Sequence, residues 1–240
     1  MNKIYMKQKK TAEKELIIHK ETVNLREQLI AVLGHDLRNP LSAITIAVGI
    51  LTLSLGERED SLIDIIKKST LRMSELVDNV MDFARTRLGE GIILTKQNIM
   101  LEPLLLQVIN ELQLAFPKRE INVLFETTKP VNCDPNRISQ LISNLLANAL
   151  THGSDDTSVQ IHTYYKEGNF ELSVTNNGEP IPLDMHQYLF APFTRETSRS
   201  SQQGLGLGLY ISSEIAKAHN GTISCTSTAD ETCFTFRINS

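Results

Sequence analysis

The chain has 240 residues, of which 41% are hydrophobic, enough to bury a sizeable core in one or two domains. A formal net charge of −4 provides no basic footprint, so nucleic acid is not an expected partner, and no apolar run approaches the length of a membrane span. Three cysteines, Cys133, Cys225 and Cys233, are odd in number and lack metal-ligand spacing, which predicts reduced thiols and a cytoplasmic setting.

Residues 1–24 are charged and helix-prone and run without a breaker into the next segment. There Ile30, Leu33, Leu37, Leu41, Ile44, Val48, Leu51 and Leu55 recur at steps of three and four, which predicts one buried helix stripe. His35 is two residues from both Leu33 and Leu37, about 200° around the helix at ~100° per residue, so it points away from that stripe. A lone exposed histidine usually does nothing, but this one has informative neighbours. Asp36 supplies a carboxylate able to take the proton from imidazole Nδ1, leaving the Nε2 lone pair free to attack phosphorus. Asn39, four residues on, shares the histidine's face and offers an amide to position a water, although a solvated helix residue is the plain reading. Pro40 has no N–H and predicts a bend just past the histidine.

Gly56-Glu57-Arg58-Glu59-Asp60 reads as a short turn. The next helix carries Leu62, Ile66, Ser69, Met73, Leu76, Val80 and Phe83 at alternating four-three spacing. Two helices with such wide apolar faces cannot bury them alone. An antiparallel hairpin that pairs with its twin into a four-helix bundle satisfies both. Leu88-Gly89-Glu90-Gly91 ends the hairpin with helix-stopping glycines.

Beyond it the pattern predicts a strand over Ile92–Asn98, a helix over Leu101–Ala115 and a strand over Ile121–Glu126. A helix from Asp134 to His152 follows, opened by Asp at the cap and Pro at the first helical position. Strands are predicted over Ser158–Tyr165, Phe170–Asn176, Gly221–Ser227 and Thr232–Ile238. This mixture suggests a two-layer α/β sandwich. On the Asp134–His152 helix, Asn144 and Asn148 project together and offer neutral carbonyl oxygens of the hard type that suits Mg²⁺, with His152 one turn further. The same pair would also serve as a structural hydrogen-bond pair. Residues 196–203 form a polar run without an apolar residue, suited to a lid. Gly204-Leu205-Gly206-Leu207-Gly208 then lets backbone N–H groups approach a polyphosphate ahead of a helix with a positive terminus. No Gly-Lys-Ser/Thr follows, and no βαβ unit precedes.

His35-Asp36-Leu37-Arg38-Asn39-Pro40 resembles the phosphoacceptor box of bacterial sensor histidine kinases of the large dimerising class. Four further segments resemble that family's ATP-binding boxes in their usual order: 134–152, the asparagine box; 174–182, the first glycine box; 189–195, the phenylalanine box; and 204–211, the second glycine box. Together they cover roughly residues 30–240. The resemblance implies an N-terminal signalling helix at 1–24, a dimerisation and phosphoacceptor hairpin at 25–90, and a catalytic domain of the histidine kinase, chaperone and gyrase type at 91–240. It implies ATP and Mg²⁺ as ligands, with Asn144 and Asn148 on the metal and His152 beside them. Asn176, Gly178, Ile181 and Phe193 would line the nucleotide pocket, the loop Gly204–Gly208 would cradle the phosphates, and Arg195 would reach the γ-phosphate. His35 would accept the phosphoryl group and pass it to an aspartate on the receiver domain of a response regulator, toward which phosphatase activity is a second expectation. The related chaperone, topoisomerase and mismatch-repair ATPases carry a catalytic glutamate in the asparagine helix, absent here, and lack the hairpin.

Two positions depart from the family pattern. Asn176 stands where an aspartate receives the adenine amino group, and Pro180 stands where the second glycine would be. An amide oxygen still accepts from adenine N6 but without charge assistance, so discrimination of ATP over GTP is expected to be weaker than in relatives with aspartate.

Overall fold

The computed structural model describes residues 37, 40–51, 59–127, 129–194 and 205–238. His35, Asp36, Asn39, Arg195 and Gly204 lie outside the described residues, as do residues 1–24, the 56–58 part of the turn and the site of the bend ahead of Pro40. The chain divides into two compact units, residues 1–77 with 199–205, and residues 78–198 with 206–240.

In the first unit, helix α1 spans residues 40–51 and helix α2 (Glu59–Arg87) begins. On α2 the expected stripe holds in part: Leu62, Ser69, Leu76 and Phe83, each seven residues from the last, are buried, while Ile66, Met73 and Val80 between them are half-buried. A second row one residue on behaves differently. Ile63 and Val77 are exposed at 41% and 51%. The α1 stripe is likewise only partly covered. Leu41 and Val48, expected inside, are exposed, and Ala47 is buried instead. An apolar face wider than one neighbouring element leaves such a row uncovered within a single chain.

The second unit holds the end of α2 and an α/β sandwich. Its five-stranded sheet has the order β2 (Ile121–Phe125), β4 (Val159–Lys166), β5 (Asn169–Asn176), β7 (Thr232–Ile238), β6 (Gly221–Ser227). Only β2 and β4 run parallel. Helix α4 (Pro135–His152) packs on β4 and β5, α5 (Gly208–Ala218) on β6 and β7, and α3 (Leu101–Ala115) on α4. Alternation along the strands points Val159, Ile161, Phe170, Leu172, Val174, Phe234 and Phe236 into this layer, where all are buried. Cross-strand neighbours such as Ile161 with Val174 and Leu172 with Phe236 meet there. On the opposite face Glu171 accepts hydrogen bonds from Tyr164 (2.7 Å) and Arg237 Nε (2.7 Å). Burial pushes its carboxyl pKa up, but these two partners outweigh that and hold it below the ordinary range.

The strand expected over Ile92–Asn98 is shorter. Only Gln97–Ile99 pairs, as β1, antiparallel to β3 (Val131–Cys133). Ahead of it the Thr95 N–H is taken at 2.6 Å by Asp134 Oδ2, a side chain and not a strand. The three-residue β3 between Pro130 and Asp134 is too short for any periodicity to announce, and so is the 3-10 turn Leu183–Tyr188. The cysteines are free thiols, with burial lifting Cys133 to about 11.

Candidate functional site

Helix α4 starts where the sequence places it. Asp134 caps it, accepting from the N–H groups of Asn136 (3.0 Å) and Arg137 (3.1 Å), and Pro135 fills the first position. Seven side chains, Ile138, Leu141, Ile142, Leu145, Leu146, Ala149 and Leu150, are buried along one side. That leaves Asn144, Asn148 and His152 half-buried on another.

Asn144 faces the glycine segment. Its Nδ2 donates to the Gly208 carbonyl oxygen at 3.1 Å and to Ser212 Oγ at 3.4 Å, so Oδ1 is the end left to accept. The asparagine helix and the glycine loop, 60 residues apart in sequence order from Asn148 to Gly208, are thereby joined at the first turn of α5. Among the described residues no side chain caps that turn, and no acidic residue lies in it. Its N–H groups and the positive end of the helix are suited to an anion.

Gly206 is required for two reasons. Its φ is +65°, and a β-carbon there would fall 2.8 Å from the Thr194 carbonyl oxygen. Its carbonyl accepts from the Phe193 N–H at 3.0 Å, with Phe193 itself at φ 61°. The two phenylalanines of the 189–195 segment anchor on different elements. Phe193 meets the edge of Phe83, near the end of α2, at 5.2 Å, and Phe190 meets Phe234 of β7 at 6.3 Å. Tyr210 of α5 joins the first cluster, 5.7 Å from Phe83, with its hydroxyl 3.0 Å from Thr86 Oγ1. Leu205 and Leu207, between the glycines, are buried.

The β5 strand ends at Asn176, whose side chain is buried. Its Nδ2 donates to the Asn177 carbonyl oxygen at 3.3 Å, leaving Oδ1 as an acceptor. The same Asn177 oxygen accepts from the Ser154 N–H at 2.7 Å, which stitches the turn after α4 to the turn after β5. Gly178 permits this approach, since a β-carbon there would fall 2.9 Å from the His152 carbonyl oxygen. Ile181 closes the turn, its N–H donating to Ser227 Oγ at 2.9 Å.

The donor set is compatible with a hydrated Mg²⁺ carried by a polyphosphate. Asn144 presents an oxygen because its nitrogen is already committed, and Asn148 sits one helical turn further along the same face. Among the described residues, no cluster of three or more His, Cys, Asp or Glu could hold a metal ion by itself.

Several residues that shape this region carried no signal in the sequence. Arg137 Nη1 donates to Asp82 Oδ2 at 2.6 Å, and Gln140 Nε2 to the same oxygen at 3.0 Å, tying the first turn of α4 to the end of α2. His219, buried after α5, accepts the Asp134 N–H at 3.0 Å through Nε2. Arg119 lies beneath the turn that carries Gly153. Long-range partners of this kind have no period and no spacing.

Two family profiles match the chain. The profile of the His Kinase A (phospho-acceptor) domain matches residues 25–89, and that of the histidine kinase-, DNA gyrase B-, and HSP90-like ATPases matches residues 133–240. The bacteriophytochrome of Pseudomonas aeruginosa is 34% identical over 220 residues, covering 91% of this chain and 30% of its own length. The sensor histidine kinase TrcS of Mycobacterium tuberculosis is 34% identical over 236 residues, covering 92% and 45%. The chain thus spans less than half the length of either. Among solved structures, full-length ShkA in complex with AMPPNP has a TM-score of 0.63 at 26% identity over 88% of this chain and 45% of that one. The histidine kinase AdeS of Acinetobacter baumannii has a TM-score of 0.63 at 21% identity, over 85% of this chain and 97% of its own, and shares the fold.

Proposed function

This chain belongs to the sensor histidine kinases of bacterial two-component systems, and from that premise we propose that it autophosphorylates on His35 with ATP and passes the phosphoryl group to a response regulator. The observation that carries the proposal is the hydrogen bond from Asn144 to Gly208, which unites the asparagine helix and the second glycine loop around one polar end of the sandwich. A nucleotide seated there has its triphosphate at the uncapped start of α5 and its base at Asn176. Asn176 Oδ1 accepts from the adenine amino group, and Ile181 and Phe193 close the pocket. Arg195 and the Gly204–Gly208 backbone orient the γ-phosphate.

Mg²⁺ would be held by the phosphates with Asn144 and Asn148, supplying charge neutralisation when bound. Asp36 takes the Nδ1 proton as His35 Nε2 forms its bond to the γ-phosphorus. The bond from that phosphorus to the β,γ-bridging oxygen breaks, and ADP leaves. Asn39 positions water for hydrolysis of the regulator's phospho-aspartate, the second activity. Support for a regulator as partner comes from the structural neighbour ThkA, solved with the response regulator protein TrrA, which shares the fold with a TM-score of 0.60.

We place the chain as a homodimer in the cytoplasm. No helix among the described residues is long and apolar enough to cross a membrane, and the exposed row containing Ile63 and Val77 is a face that a second copy would cover. Incubation with ATP labelled at the γ-position tests the reading. The protein is expected to retain acid-labile, base-stable label, and His35→Ala to abolish it while ADP still binds. Label retained by His35→Ala overturns the assignment.

A further inference from the structure

Arg119 stands in the turn between α3 and β2. Its backbone is fixed on both sides, the N–H donating to the Phe116 carbonyl at 3.1 Å and its own carbonyl accepting from Gln113 Nε2 at 2.8 Å. Its side chain is only 6% exposed. One guanidinium nitrogen, Nη1, donates to the Gly153 carbonyl oxygen at 3.0 Å and to Asp155 Oδ1 at 2.8 Å. Asp155 is 96% exposed, so water screens that pairing and it compensates little of the buried charge. The other two nitrogens, Nε and Nη2, are buried without an acceptor among the described residues. A guanidinium cannot shed its charge, and buried charged donors left unmet are costly.

What lies beside those donors is the residue at the base site. A β-carbon on Gly153 would stand 3.0 Å from Arg119 Nη2 and 3.1 Å from Asn176 Cβ, so the guanidinium and the Asn176 side chain flank the same glycine. Asn176 is held in one orientation by its Nδ2 bond to the Asn177 carbonyl. Turning the amide over would set two oxygens against each other, so Oδ1 stays available to a purine amino group.

We propose that Arg119 is a positioning residue for base recognition, its buried cation and unmet donors making an uncharged amide, rather than a carboxylate, the effective reader at position 176. The proposal rests on the reading of Asn176 as the adenine acceptor. A carboxylate at 176 has no nitrogen to hold it to Asn177. It carries a full charge next to a cation with donors to spare, and it turns to Arg119 instead of to the base. The sharper choice of ATP over GTP that an aspartate would otherwise confer is thereby withheld for as long as Arg119 is present.

The test is a double-mutant cycle on the full chain, with ADP and GDP as titrated probes and thermal unfolding recorded alongside. Asn176→Asp alone is expected to raise the unfolding temperature without raising the ADP-over-GDP affinity ratio. In an Arg119→Met background the same change is expected to raise that ratio about tenfold, the scale of coupling between residues in one network. Arg119→Lys keeps the cation and should likewise keep Asn176→Asp from raising the ratio. An equal response of the ratio in wild-type and Arg119→Met backgrounds overturns the proposal. So does a tenfold gain from Asn176→Asp with Arg119 intact, a result that does not depend on how well the methionine variant folds. Asn176→Ala separates the premise. If it leaves both nucleotide affinities unchanged, the base assignment fails, while non-additive unfolding temperatures still report an Arg119 contact with position 176.

Discussion

Helices α4 and α2 both carry a long apolar face, and they complete its burial by different means. On α4 all seven stripe residues are covered by the strands and helices of its own chain. On α2 one heptad row, Leu62 to Phe83, is buried, and the adjoining row containing Ile63 and Val77 is left at the surface. The α1 segment shows the same division, with Ala47 buried and Leu41 and Val48 exposed. Periodicity therefore identifies an apolar face, and the neighbouring elements decide how much of it one chain can hide. The distinction matters for chemistry. A self-contained α4 keeps Asn144 bonded to Gly208 whatever the oligomeric state, whereas a half-covered α2 leaves an apolar row for the proposed second copy to cover.

Breaking the uncovered row should have the largest effect. The double variant Ile63→Glu with Val77→Glu puts charge on a face proposed to be covered by a second copy, where each unpaired buried carboxylate is strongly unfavourable. Sedimentation at micromolar concentration is expected to show monomer where the unaltered chain is dimeric, with ADP affinity unchanged because neither Ile63 nor Val77 is among the residues proposed to touch the nucleotide. A variant that stays dimeric places the interface on another face.

A smaller effect is expected where α5 begins. Gly206→Ala forces an L side chain into φ +65° and drives a β-carbon to 2.8 Å from the Thr194 oxygen. The conformational part alone costs about 1–2 kcal/mol, and the overlap must displace the loop as well. ADP affinity should fall about tenfold or more, with the unfolding temperature only modestly lower. Gly168→Ala is the control: it also has positive φ, at +84°, but nothing stands within 4 Å of the added carbon. If the two variants bind ADP equally, Gly206 is not part of the phosphate loop.

The legibility of these regions in the sequence divides along physical lines. Caps, stripes and strand alternation are local. Asp134-Pro135 announces the start of α4, and β6 and β7 fall on Gly221–Ser227 and Thr232–Ile238 as expected. Motif order places Asn144 and Gly208 in one site because the glycine loop and the asparagine helix each need the other's polar groups. The Arg119 and His219 contacts were not legible, since each joins residues more than 30 positions apart through a single side chain and leaves no pattern. Nor could β1 be bounded, because the Asp134 carboxylate claims Thr95 from a distance of 39 residues.

His219 sharpens the contrast from the covered side, with the smallest expected effect. Its Nε2 accepts the Asp134 N–H, and its Nδ1 lies 2.9 Å from the Ile215 carbonyl oxygen, which can only accept, so the ring is neutral with its proton on Nδ1. It thereby ties the end of α5 to the cap of α4. Burial holds its pKa below the ordinary histidine value. The folded state therefore resists a proton that the unfolded state accepts from about pH 6.5 downward. Above that pH both states are neutral and stability from this group is flat; as the pH falls from there to the folded pKa, the unfolded state binds more protons and stability is lost. His219→Ala removes the acceptor of a buried N–H and should cost about 1–3 kcal/mol at pH 7.5 in urea unfolding. At pH 5.5 the difference from wild type should be smaller, because only the wild-type protein has paid for keeping the ring unprotonated. A stability difference that does not change between the two pH values would mean that Nε2 is not held as an acceptor and that α4 and α5 are joined by packing alone.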